Sequence, residues 1–296
     1  MLRVLCLALS MLMSAWTVQA AEPVELPHGD LTLVGHMERA PATELSDGVV
    51  LIVHGTLAHG EMEITRSLQE LLAEAGYNAL TINLGLGQDR RTGMYDCDSL
   101  HDHGHEDAVG EIAAWVDWLR EQGAGRVAIV GHSRGGNQVA RYLADDPDPV
   151  VTRGVLLAPQ TWSEDDHFES YEKSHGVPLE PLLEQARRHV AQGDGDRVMS
   201  LDFIYCPDAK ATARSVVSYY EPDPRMDTPT VIAETAVPTL VLVAELDEVV
   251  TDLETRMDGR VDEKTVFMSV IGGADHMFMD LFVYDVADQT AAFLDW

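Results

Sequence analysis

Lysine is nearly absent from this 296-residue chain. Lys173, Lys210 and Lys264 stand against 50 aspartates and glutamates, and even with the arginines the formal net charge is −30. Such an acidic surface excludes the usual electrostatic partners, nucleic acid and anionic membrane, which attract basic patches. Long hydrophobic runs are missing too. Past the amino terminus no segment approaches the 18 or so uninterrupted apolar residues of a transmembrane helix, so stable membrane insertion is not expected. Internal repeats and low-complexity linkers are also absent, and a hydrophobic content of 46% is enough for one large domain core. Cysteine is scarce, at Cys6, Cys97 and Cys206.

The first residues, MLRVLCLALSMLMSAWTVQA, combine Arg3, an apolar stretch to Trp16 and the small-residue signal Val18-Gln19-Ala20. This is the pattern of a secretory signal peptide over residues 1–20, cut after Ala20, and it predicts a periplasmic or secreted bacterial protein. Cys6 sits too early to be a lipoprotein cysteine. Cleavage removes Arg3 and takes the formal charge from −30 to −31. It also leaves Cys97 and Cys206 as an even pair in an oxidising compartment, which predicts a disulfide.

The strongest chemical signal is VAIVGHSRGG, residues 127–136. A buried-strand run delivers Ser133 into the turn Gly131-His132-Ser133-Arg134-Gly135, a G-x-S-x-G nucleophile elbow, and the amphipathic helix NQVARYLADD follows. A side chain at either glycine would collide with the crossing backbones of strand and helix. Two later segments keep the order Ser, acid, His that such an elbow calls for. VPTLVLVAELDEVV ends its apolar run at Asp247, and TVFMSVIGGADHMF ends in a Gly-Gly loop carrying His276. Each residue then lies just past the carboxyl end of a predicted parallel strand, the edge where open α/β sheets bind ligands. A neutral imidazole at His276 would accept the Ser133 proton during attack on a carbonyl, and Asp247 would fix the ring tautomer. Glu245, Glu248 and Asp252 share the acidic turn and read as solvated surface.

On these segments, with HGT at residues 54–56, the chain resembles the α/β-hydrolase superfamily over nearly all of its mature length outside an insertion. Ala244 in the acid turn stands where relatives often carry Gly. The resemblance implies a mostly parallel doubly wound sheet with helices on both faces: a core over residues 21–160 and 237–296, and a small helical cap over 161–236. It also implies an oxyanion hole made by backbone N–H groups, that of Arg134 and one from VVLIVHGTLAHG, with Thr56 favoured over Leu57. Thr56 enters through its backbone only. The expected activity is cleavage of carboxylic esters of small molecules through an acyl-enzyme on Ser133, with no cofactor and no metal. A thioesterase or peptidase would use the same residues, and a non-catalytic binding protein of this fold would have lost them.

Alternating strand and helix signals agree. DLTLVGHMERA reads as a leading antiparallel arm, and VVLIVHG, YNALTINLG, RVAIVG and RGVLLAPQ as strands. TRSLQELLAEAG, AVGEIAAWVDWLREQG and VADQTAAFLDW read as helices. The cap offers two helix candidates, EPLLEQARRHVAQG and DAKATARSVVSYY, separated by DFIYCPD. It also holds seven of the 19 aromatics, Trp162, Phe168, Tyr171, Phe203, Tyr205, Tyr219 and Tyr220, to be shared between its own core and a pocket wall over Ser133. Cys97 follows a strand on the sheet's carboxyl edge and Cys206 lies between the cap helices, so a bond between them would tie cap to core. His101, His103 and His105 alternate in a way that invites a metal. The Gly- and Asp-rich setting of SLHDHGHED predicts instead a polar loop near the rim, with Asp107 favoured at the start of the next helix.

Overall fold

The computed structural model describes residues 21–294; the signal peptide read in residues 1–20 lies outside them. The chain opens with β1 (Glu22–His28) and β2 (Leu31–Glu38). Strand and helix then alternate through β3 (Val49–Val53), α1 (Glu63–Glu74), β4 (Asn78–Asn83), the two-residue β5 (Leu100–His101), α2 (Asp107–Glu121), β6 (Val127–His132), α3 (Arg134–Asp145) and β7 (Val151–Leu157). Within residues 161–236 come α4 (Glu164–His175), α5 (Glu180–Ala191), β8 (Val198–Phe203), β9 (Cys206–Thr212), α6 (Ala213–Tyr220) and the short α7 (Thr228–Val231). The chain ends with β10 (Thr239–Ala244), the single turn α8 (Leu253–Arg256), β11 (Val266–Ile271) and α9 (Phe282–Leu294).

Eight strands form one sheet in the order β1-β2-β4-β3-β6-β7-β10-β11. The β1–β2 and β2–β4 pairs are antiparallel and the rest are parallel. β3 shows why its sequence is an unbroken apolar run: Val49, Leu51 and Val53 face the cluster that includes α2 and α3, while Val50 and Ile52 face α1 and α9. A strand covered on both faces has no polar side to alternate. On α2, Ile112, Trp115, Val116 and Leu119 are all buried, and their spacing is that of one helical stripe.

Residues 161–236 depart from the helical cap read in the sequence. β8 and β9 form an antiparallel hairpin, and β9 pairs with β5 in parallel to make a second, three-stranded sheet. DAKATARSVVSYY therefore divides into the end of a strand and, from Ala213, a helix. CPDAKAT has little strand propensity. A register shift at Asp208, whose φ is 50°, puts Cys206 on the face of Ala209 and Ala211, and these small side chains are buried there. The same cluster continues from the α2–α3 face into this segment through Leu183, Phe203 and Tyr219. Cys97 and Cys206 are disulfide-bonded, with Cα atoms 5.3 Å apart, which joins the loop after β4 to the start of β9.

The histidine loop also differs from the expected polar rim. His101, His103 and His105 are all buried, because β5 is covered by the hairpin. Three of their ring nitrogens meet neutral groups, His101 Nδ1 at 3.3 Å from His103 Nε2, His103 Nδ1 at 3.0 Å from the Tyr219 hydroxyl, and His105 Nε2 at 3.1 Å from Asn137 Oδ1; His105 Nδ1 lies 3.3 Å from Arg134 Nη1, and His101 Nε2 has no partner among the described residues. Burial lowers the imidazole pKa to about 4 at His101 and about 3 at His103, and well below the ordinary value at His105. Asp107 does open α2, where it accepts from the Gly104 amide at 2.7 Å.

Candidate active site

Between β6 and α3 the chain turns within one residue, and Ser133 adopts φ 54°, ψ −123°. A positive φ is unfavourable for a side chain with a Cβ, so the surroundings must hold it. The Ser133 amide donates to Leu157 O at 2.9 Å, and its carbonyl accepts from the amides of Gly136 and Gln160 at 2.9 and 3.1 Å. The flanking glycines are sterically required. A Cβ at Gly131 would sit 2.6 Å from Gly135 O, and one at Gly135 would run into the His54 carbonyl oxygen.

β10 and β11 end at the same edge of the sheet. The loop after β11 brings His276 Nε2 to 3.0 Å from Ser133 Oγ, and the loop after β10 brings Asp247 Oδ2 to 2.8 Å from His276 Nδ1. A carboxylate accepts, so Nδ1 carries the ring proton and Nε2 is left to accept from the serine. Asp247 Oδ1 takes the amides of Val249 and Val250 at 2.7 and 2.8 Å, and the side chain is only 3% exposed. Burial by itself would raise this carboxyl's pKa, but the His276 bond and the two amides outweigh it and hold it below the usual carboxylate value. The other acids of the turn point elsewhere: Glu245 accepts from the Gly273 amide at 2.7 Å and Asp252 from Thr161 Oγ1 at 2.6 Å. His132, pushed down to about 4 by burial and then by the nearby His276, is neutral and donates Nε2–H to the His276 carbonyl at 2.9 Å.

The loop after β3 runs against Ser133, since a Cβ at Gly55 would lie 3.2 Å from Ser133 Cβ. Arg91, which the sequence analysis did not single out, and His54 and Tyr205, named there without this part, hold the loop. His54 donates Nδ1–H to Gly55 O at 2.8 Å, and its Nε2 accepts from the Leu84 amide at 3.0 Å and Arg91 Nη2 at 2.9 Å. Buried Arg91 also donates to the carbonyls of Leu84 and Gly93, at 2.6 and 2.7 Å. From the β8–β9 hairpin, the Tyr205 hydroxyl donates to Thr56 O at 3.2 Å. The Thr56 side chain has a part as well, because its Oγ1 accepts from Arg134 Nε at 3.2 Å. Arg134 is the first residue of α3, so its N–H has no intrahelical acceptor and is free to face an oxyanion.

The aromatics divide as the sequence allowed. Phe203 is fully buried within the inserted segment, while Trp162, Tyr171, Tyr219 and Tyr220 line a cleft of about 320 Å³ that reaches Arg134 and Gln160. Among the described residues no group of three metal-ligating side chains converges, and no helix is long and apolar enough to cross a membrane.

A family model described as the alpha/beta hydrolase family matches residues 50–293. The chain belongs to the α/β-hydrolase family. No curated protein matches its sequence. Among solved structures this hydrolase is similar to Est1E from Butyrivibrio proteoclasticus, at 17% identity and TM-score 0.66, over 93% of this chain and 98% of that one. It is also similar to the esterase Pf2001 of Pyrococcus furiosus, at 18% identity and TM-score 0.59, over 93% and 90% of the two chains. A serine hydrolase homologue from Coxiella burnetii gives 15% identity and TM-score 0.56, over 94% and 99%. At these identities the likeness is one of fold.

Proposed function

We propose that this α/β-hydrolase is an exported serine hydrolase that cleaves carboxylic esters through an acyl-enzyme on Ser133. The observation that carries the reading is the unbroken relay from Ser133 Oγ through His276 to Asp247, at 3.0 and 2.8 Å. Ser133 Oγ attacks the ester carbonyl while its proton passes to His276 Nε2. The imidazolium formed is stabilised by Asp247, which keeps its own negative charge. The tetrahedral oxyanion is received by the amides of Arg134 and Thr56; losing one such donor raises the barrier by about 3 kcal/mol. His276 then gives its proton to the departing alcohol, leaving the acyl group on Ser133. Water, deprotonated by the same imidazole, hydrolyses that ester and restores the serine.

Export is the part of the reading that rests on residues 1–20. The Cys97–Cys206 bond supports it, since such bonds persist in oxidising compartments and are rare in the cytosol.

A fluorophosphonate probe tests the nucleophile. It is expected to label the mature protein once, at Ser133, and Ser133→Ala is expected to abolish labelling and turnover of nitrophenyl esters from acetate to palmitate. An aminoacyl anilide and an acyl thioester run beside them separate esterase from peptidase and thioesterase. Labelling at another residue, or full activity in the alanine variant, refutes the assignment.

A further inference from the structure

In a chain with 50 acidic residues, the arginine next to Ser133 has no acid to pair with among the described residues. The other well-buried arginine side chains of this region differ. Arg141 pairs with Asp223 at 3.1 Å and Glu106 at 3.5 Å; Arg91 makes no ion pair either, but its Nε, Nη1 and Nη2 each have an acceptor in Leu84 O, Gly93 O and His54, and the charge of Glu111 acts on it. Arg134 instead donates Nε to Thr56 Oγ1 at 3.2 Å and Nη1 to His105 Nδ1 at 3.3 Å, and its guanidinium lies over the Tyr219 ring, 5.3 Å from the centroid. His105 is a neutral acceptor here. Its Nε2–H donates to Asn137 Oδ1, while the Asn137 amide nitrogen gives its own protons to Arg225 O and Thr228 Oγ1. All three neighbours of the cation are therefore uncharged, and among the described residues Nη2 has no hydrogen-bond acceptor. Burial lowers the guanidinium's pKa, and the groups that oppose this are the phenols Tyr219, Tyr220 and Tyr205 rather than any carboxylate.

A partly desolvated cation without a counter-charge is costly in the free protein, and an anion that enters beside it relieves that cost. The place for an anion is present. Arg134 lines the cleft of about 320 Å³ together with Gln160, Trp162, His167, Tyr219 and Tyr220. Tyr220 adds a second donor: its hydroxyl oxygen accepts from the Ile204 amide at 2.6 Å, which leaves its own proton to give. One carboxylate, Asp166, also lines this cleft. It is solvent-exposed and hydrogen-bonded to Ser163, so its charge is largely screened.

We infer that the natural substrate is an ester carrying a free carboxylate, and that Arg134 is the side chain that receives it in this cleft. The inference rests on the serine-hydrolase reading of Ser133. Its backbone N–H and its guanidinium would then act on one substrate at two points, the oxyanion and the remote carboxylate.

The test compares mono-4-nitrophenyl adipate with 4-nitrophenyl hexanoate, which have acyl chains of equal length and differ in a terminal carboxylate or methyl. Spontaneous hydrolysis is subtracted with the Ser133→Ala protein. The native enzyme is expected to favour the adipate ester in kcat/KM. Arg134→Gln is expected to lower that ratio by about tenfold or more, the loss expected of a charge-assisted hydrogen bond. Arg134→Lys should keep part of the preference, as a charge without the planar fork. The ratio is the readout because both rates fall if the Thr56 contact is disturbed, and thermal melts report whether each variant folds. Calorimetric titration of adipate into Ser133→Ala, and into the same protein with Arg134→Gln, reads binding without turnover and should show affinity lost with the arginine. A native ratio of one or below, a ratio unchanged in Arg134→Gln, or equal adipate binding with and without the arginine overturns the inference. If neither ester is turned over and Ser133 is not labelled, the hydrolase reading has failed, and the titration still decides the role of Arg134.

Discussion

Asp247→Asn keeps the shape of the residue that faces His276 and removes the charge that fixes its tautomer. Turnover of a nitrophenyl ester is expected to fall about 10⁴-fold, as on removal of the acid of such a triad. Asp252→Asn and Glu248→Gln should stay close to wild type, since Asp252 bonds Thr161 and Glu248 is exposed; the reverse order in steady-state assays would move the role to another carboxylate. Tyr205→Phe removes the hydroxyl that holds Thr56 O and is expected to lower kcat about five- to tenfold, the size of one hydrogen bond, with KM nearly constant. At this scale Ser133, Asp247 and His276 were legible because each ends an apolar run, and strand ends share one edge of a parallel sheet. His54, Arg91 and Tyr205 were not. Each acts through a contact between segments distant in the chain, and no periodicity marks which residues will meet.

The elbow shows how tightly two elements fix one side chain. Gly135→Ala would drive a Cβ into the His54 carbonyl, which cannot swing aside as a flexible side chain would. The expected result is a loss of about 1–3 kcal/mol in denaturant melts, typical of overpacking, together with loss of probe labelling. Regular elements of the core announced themselves through their pattern: the all-apolar VVLIV of β3, buried on both faces, and the helical stripe of α2. The inserted segment did not. β9 contains Pro207, Asp208 and Lys210, poor strand formers; Pro207 and Asp208 fall in a register shift, with Asp208 at φ 50°, and Lys210 is paired between β5 and β8. α4 is capped by Ser163 and has Glu164, Asp165 and Asp166 in its first turn, but it lacks a strong apolar stripe, with Tyr171 its one buried residue, and the sequence analysis did not find it.

For the molecule as a whole, the buried imidazoles set the acid limit of stability. Burial lowers His54 and His103 to about 3 and His101 and His132 to about 4, against the ordinary value near 6.5. The unfolded chain therefore binds more protons than the folded one between those values. The contribution is complete above about pH 6.5 and is lost as pH falls toward 4. Glu111, raised to about 7 by burial, works in the opposite sense over part of that range, and the more numerous histidines are expected to outweigh it. Urea midpoints measured from pH 8 down to pH 4 should fall steadily below pH 6.5; a flat or rising profile would contradict this. Reduction of the Cys97–Cys206 bond, with a sequence separation of 109, is expected to lower the melting temperature, within a chain-entropy ceiling of about 5 kcal/mol. The bond also gives the polypeptide a covalent topology, a ring with two tails. Ser133 lies inside the ring, and Asp247 and His276 lie on the carboxyl-terminal tail. A single protease nick between the two cysteines leaves every fragment attached until a thiol is added, whereas one nick between Cys206 and Asp247 releases Asp247 and His276 together from Ser133. Under proteolysis, damage to α2 or the elbow region would be invisible on a non-reducing gel, and damage beyond α6 would be seen at once.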